Sequence, residues 1–139
     1  MDLEELYKDT ILYYGKNTEN RREISPCDIK KRGVNHSCGD EITLYLRVRD
    51  GIIEDIGFLG DGCMISMAST SLMIDLVKGK KVDEAKEYID IFIRMIKREA
   101  TEEEILKLGD GLVFQNIQNM PARVKCATLS WHTLDDMMK

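Results

Sequence analysis

The sequence has no Cys-X-X-Cys pair, only two prolines and two histidines, and no long apolar run. Without Cys-X-X-Cys, neither a zinc ribbon nor a thioredoxin-like redox pair is written locally. Without roughly 18 consecutive apolar residues, no membrane-spanning helix is expected. The opening MDLEELYKD is acidic and lacks the basic-then-apolar order of a signal peptide. That predicts a reducing, cytoplasmic location, where two disulfides among Cys27, Cys38, Cys63 and Cys126 are not expected. An excess of basic residues is also missing. Lys and Arg number 20 against 25 Asp and Glu, a formal charge of −5. This argues against nucleic acid or an anionic membrane surface as the main partner. The run Lys30-Lys31-Arg32 reads as solvated loop surface. Gly60-Asp61-Gly62 lacks the lysine and the spacing of a phosphate-binding loop.

What is present describes a single globular domain, 1–139. Hydrophobic residues make up 43% and charged residues 32%, enough to bury one core without staples. Leu3, Leu6, Tyr7, Ile11 and Tyr14 recur at helical spacing over 3–14. The stretch 17–33, with Pro26, reads as a long loop, with a third strand expected near 23–33. Ile42 to Val48 alternates apolar and polar, Asp50-Gly51 is a hairpin signal, and Ile52 to Leu59 returns. Gly60-Asp61-Gly62 is expected to break that strand. Helices follow over 64–78 (stripe Ile65, Ala68, Leu72, Leu76) and 83–97 (Ala85, Ile89, Phe92, Ile96). Thr101-Glu102-Glu103-Glu104 opens a short fourth helix with a capping box, which Leu108-Gly109-Asp110-Gly111 closes. Pro121 starts the last helix, with Val124, Ala127, Trp131, Leu134 and Met138 inward. Helix, small antiparallel sheet, then helices is an α+β order. The expectation is three strands packed by about five helices.

The cysteines carry the functional question. Cys38 sits in Asn35-His36-Ser37-Cys38-Gly39-Asp40, a turn before a strand. Cys63 follows a glycine loop at a helix start, and Cys126 lies in the first turns of the last helix. Helix N-termini stabilise thiolates. Cys38 and Asp40, two apart in an extended segment, would point the same way. Three thiolates and one carboxylate form a tetrahedral set suited to zinc, or to iron–sulfur ligation with one weak corner. Spacing alone leaves open the plainer reading, in which free cysteines are small buried hydrophobes. Met64, Met67 and Met73 read as core. Ser66 and Ser69 have no base beside them and are not nucleophiles. His132 falls about 120° around the helix from Cys126, away from any site there.

Three segments, Ser37-Cys38-Gly39-Asp40, Gly60-Asp61-Gly62-Cys63-Met64-Ile65-Ser66-Met67-Ala68-Ser69 and Pro121-Ala122-Arg123-Val124-Lys125-Cys126-Ala127-Thr128-Leu129-Ser130-Trp131, together resemble the IscU/SufU family of NifU N-terminal-like iron–sulfur assembly proteins. The resemblance covers nearly the whole chain. It implies a SufE/NifU-like fold and the ligand set Cys38, Asp40, Cys63 and Cys126. Lys125 stands where IscU proteins carry His, and the stretch from Ile91 to Leu112 looks like an insertion found in the SufU branch. Arg123 matches an arginine that this branch has near its zinc site. His36 replaces a frequent proline, Asn17-Thr18 replaces an Asn-Pro, and His36 becomes a spare ligand candidate. Cys27 matches no family ligand.

The resemblance implies a Zn2+-binding sulfur acceptor that takes persulfide sulfur on Cys38 from a PLP-dependent cysteine desulfurase. As an enzyme it would be at most a sulfurtransferase-type acceptor. An alternative is a scaffold that builds a 2Fe-2S cluster on Cys38, Asp40, Cys63 and Cys126 and hands it to apo iron–sulfur proteins or other assembly proteins. A second alternative is a zinc-stabilised interaction module without sulfur chemistry. Arg123 and Lys125 flank Cys126 and are candidates to offset the site's negative charge.

Overall fold

A computed structural model describes residues 3–139, with side chains described from Tyr7 onward. Leu3 and Leu6 of the first stripe therefore lie outside the described side chains, although their backbone is helical. The order is α1 (Leu3–Lys16), β1 (Ile29–Asn35), β2 (Asp40–Arg49), β3 (Ile52–Asp61), α2 (Met64–Val77), α3 (Val82–Ile96), α4 (Glu102–Leu106) and α5 (Pro121–Met137). Two short 3-10 helices, Gly109–Phe114 and Ile117–Asn119, connect α4 to α5. The sheet is an antiparallel meander, β1-β2-β3. The α+β expectation of three strands and about five helices holds. The stretch Ile91–Leu112 falls on the end of α3, on α4 and on the first 3-10 helix.

The hairpin forms where its turn chemistry places it. Asp50 (φ 55°) and Gly51 (φ 75°) both take left-handed backbone, the twist that joins adjacent antiparallel strands. β3 does not break at Gly60. It runs through Asp61, with Gly60 opposite Ile42 and Asp61 opposite Glu41. Gly60 adopts φ +138°, and a Cβ there would lie 2.1 Å from the Glu41 carbonyl oxygen. The glycine thus lets the two strands stay close instead of ending the ladder.

Ile42, Leu44, Leu46, Ile53, Ile56 and Phe58 form the apolar sheet face and join the helices in one core. The single stripe expected for α2 is not what this helix buries. From Ser66 to Ile74 it is buried all round, while Ile65 and Leu76 are only half-buried. The physical reason is position. α2 packs against α1, α5 and β3 together, so serines and threonines that look like a polar face become interior. Ser69 and Thr70 find partners there, Thr70 Oγ1 donating to the Ser66 carbonyl at 2.8 Å, whereas the Ser66 and Ser71 hydroxyls are buried without one among the described residues. Trp131 Nε1 donates to Ser69 Oγ at 2.8 Å, and Ser69 Oγ donates to the Ala127 carbonyl at 2.6 Å. Trp131 also stacks on Phe92, with centroids 3.9 Å apart and planes 5° from parallel. These contacts fix α5 against α2 and α3. Met67 and Met73 are core as expected, but Met64 is 39% exposed and lines a groove with Tyr7, Ile11 and Met120. Among the described residues, no helix is long and apolar enough to cross a membrane.

Candidate metal centre

One end of the sheet gathers the chemistry. Asn35 closes β1 and pairs in register with Asp40, the first residue of β2. The chain between them is a turn over 36–39. Cys38 and Asp40 are therefore not two residues of an extended segment. Gly39, at φ +71°, bends the chain so that both side chains reach one point. The side-chain donor atoms of Cys38, Asp40 and Cys126 all lie within 4.8 Å of one another. The Cys126 and Cys38 sulfurs are 3.0 Å apart, and the Cys38 thiol faces the Ala122 carbonyl at 3.7 Å.

Cys63 stands at the edge of this group rather than within it. It is the N-cap of α2, and its sulfur accepts the Ser66 N–H at 3.4 Å. Its own N–H donates to Asp40 Oδ1 at 2.8 Å. This confirms a helix-start environment for Cys63 but not for Cys126. Cys126 is the sixth residue of α5 and only 1% exposed. Burial, and then hydrogen bonding with Cys38, Asp40 and Cys63, pushes its thiol pKa well up. Depth in the protein outweighs the helix terminus there.

Asp40 is fully buried. Its two oxygens are held by neutral donors, Cys63 N–H on Oδ1 and Asn35 Nδ2 on Oδ2 at 3.2 Å. Gly62 makes room for it, since a Cβ there would lie 2.6 Å from Oδ1. Asn35, 6% exposed, also directs Nδ2 at Cys126 Sγ, 3.6 Å away. Sequence reasoning passed over Asn35, because a strand-end asparagine carries no pattern, and read Gly62 as part of a strand break.

The remaining candidates sort by position. Arg123 is half-buried and interacts with the sulfurs; a hydrogen bond to Cys126 and the negative charge of Cys63 and Cys126 raise its pKa further. Lys125 is exposed and lines a cleft between β1 and α5 with Lys31 and His132. His36 is exposed on the turn, and Cys27 is half-buried in the loop before β1. Neither belongs to the ligand group. All four cysteines are free thiols.

A buried carboxylate converging on two sulfurs, with a third sulfur beside them, fits a metal of intermediate softness such as zinc, and equally iron with sulfide.

Residues 6–127 match the model of the NifU-like N-terminal domain. The chain is 40% identical over 134 residues to the iron–sulfur cluster assembly scaffold protein IscU of Thermotoga maritima, covering 96% of this chain and 93% of that protein. It is 37% identical over 134 residues to the zinc-dependent sulfurtransferase SufU of Bacillus subtilis, covering 96% and 90%. In three dimensions it is similar to the crystal structure of SufU from Fervidobacterium islandicum, with a TM-score of 0.91, 36% identity, and coverage of 97% of this chain and 98% of that one.

Proposed function

The chain belongs to the family of NifU-like N-terminal domains, and on that premise we propose that it is an iron–sulfur cluster assembly protein working as a zinc-binding sulfur acceptor. The observation that carries this reading is the convergence of Cys38, Asp40 and Cys126 from a turn, a strand end and a helix. Cys38, Asp40, Cys63 and Cys126 are the residues that would hold the metal. Zinc held there would keep the thiols deprotonated at neutral pH. Of the three site sulfurs, Cys38 is the one to receive cargo. Cys126 is buried, and Cys63 is engaged as a helix cap, whereas Cys38 rides a surface turn.

The donor is a cysteine persulfide on a PLP-dependent cysteine desulfurase. The Cys38 thiolate attacks the outer persulfide sulfur. A new S–S bond forms on Cys38, the donor's S–S bond breaks, and the donor cysteine leaves as its thiolate. Arg123 sits where its guanidinium offsets negative charge on the sulfurs. We place the reaction in the cytoplasm, where free thiols stay reduced, on a single domain of residues 1–139. Apo iron–sulfur proteins or other assembly proteins receive the product.

The buried oxygen corner favours a second reading, a scaffold for a 2Fe-2S cluster. A carboxylate in place of a fourth thiolate weakens one corner and eases release. Adding zinc-loaded protein to a cysteine desulfurase separates the two. Faster desulfuration, with one extra sulfur on Cys38 by mass spectrometry, is expected for the acceptor. No stimulation by zinc-loaded protein, with cluster assembly on iron-loaded protein, would establish the scaffold in its place.

A further inference from the structure

Asn35 directs its amide nitrogen at two members of the ligand group. The carbonyl Oδ1 accepts the Ser37 N–H at 3.3 Å, an Asx turn that fixes the amide plane. The amide has two N–H donors. Its nitrogen lies 3.2 Å from Asp40 Oδ2 and 3.6 Å from Cys126 Sγ, atoms carried by β2 and α5. A buried asparagine is normally satisfied by backbone. Here its donors reach side-chain atoms of the ligand group.

Resting on the metal-binding reading above, we propose that Asn35 is a positioning residue of the metal centre. Its amide sets the rotamer of Asp40 and ties the start of β2 to α5, so that carboxylate and thiol face the ion together. Asp40 Oδ1 is held by Cys63 N–H and Oδ2 by Asn35. Two donors restrain the carboxylate, and neither uses up the acceptor capacity of its oxygen. Chemistry explains the choice of an amide. It donates without charge, so it does not compete with a cation as lysine would. Nor does it repel the ligands as aspartate would. The 3.2 Å contact is the stronger of the two, so the effect of Asn35 runs mainly through Asp40.

The test compares wild type, Asn35→Asp and Asn35→Ser for zinc affinity, by competition with a chromophoric chelator, and for the absorption spectrum of the Co2+-substituted protein. Asn35→Asp keeps the acceptor for Ser37 N–H and removes both donors. Supporting partners of metal ligands are worth about 10–100-fold in affinity, so losses of that size are expected in both variants, with shifted Co2+ ligand-field bands. Thermal midpoints of the metal-free variants identify any general loss of fold. In the Asp40→Ala background, at least half of the Asn35→Asp effect should vanish. Affinity and spectra equal to wild type in both variants would overturn the inference, as would an undiminished loss in the Asp40→Ala background. Failure of wild type to take up zinc would instead remove the metal reading itself, and this inference with it.

Discussion

Two aspartates on the same sheet meet opposite fates. Asp55 lies on β3, opposite Arg47. Arg22 holds it with a two-pronged pair, Lys78 approaches to 3.3 Å and Arg47 to 3.6 Å. That company, Arg22 foremost, pushes its pKa from 3.8 down to about 2. Asp40, on β2, is buried completely, and among the described residues no lysine or arginine forms an ion pair with it. Its partners are an amide, a backbone N–H and cysteines. A buried carboxylate without a cation is costly. Asp55 is therefore a finished structural joint, whereas Asp40 and its sulfurs form a group without an internal cation that could hold a metal ion. The difference teaches that charge complementarity within the fold separates a brace from a binding site, even when residue type and element are the same.

The strongest way to break this comparison is to remove the proposed acceptor thiol. Cys38→Ser should abolish desulfurase stimulation and sulfur uptake, while Asp55→Ala and Cys27→Ser leave both in place. Sulfur found on Cys126 in the wild type would contradict the assignment. A milder perturbation is Gly62→Ala, whose methyl group would crowd Asp40 Oδ1. Zinc affinity should fall about 10–100-fold with little change in the far-ultraviolet circular dichroism. Unchanged affinity would mean that the placement of Asp40 does not set metal binding.

Asp40→Ala then asks whether the oxygen corner is the weak one. An anaerobically assembled cluster should outlast that of the wild type under a limited exposure to oxygen, and faster loss would contradict the weak-corner argument. The smallest effect belongs to the brace. The folded pKa of Asp55 is depressed, so its contribution to stability is present above 3.8 and is lost as pH falls through about 2. In metal-free protein, Asp55→Asn should cost about 1–2 kcal/mol at pH 6, after allowance for solvent screening, and nearly nothing at the acid end. Urea titrations at the two pH values measure this. An equal cost at both would assign the joint to packing rather than charge.

These features were unequally legible in the sequence. The hairpin at Asp50-Gly51 is written in a dipeptide whose backbone preference is local. The stripe of α3 is written in its period. The centre is not local, because Cys38 and Cys126 stand 88 residues apart; three short motifs brought them together by resemblance, where spacing left the question open. The all-round burial of α2 was hidden because its serines and threonine carry no apolar period, and the contacts that take Ser69 inside, Trp131 and Ala127, come from a distant helix. Asn35 was hidden for a related reason: its role consists of two contacts that only the folded chain creates.

The stacking of Trp131 on Phe92 gives the molecule its own optical gauge. Trp131 is the sole tryptophan, fully enclosed, with its indole N–H bonded to Ser69 on the helix that Cys63 caps. Ultraviolet excitation therefore yields one emitter, placed at the seam between the helix that Cys63 begins and the helix that contains Cys126. Enclosed away from water, it should emit at short wavelength. Any parting of those helices will admit solvent and move the emission to the red. A separation of these two helices can thus be followed from within, without attaching a dye.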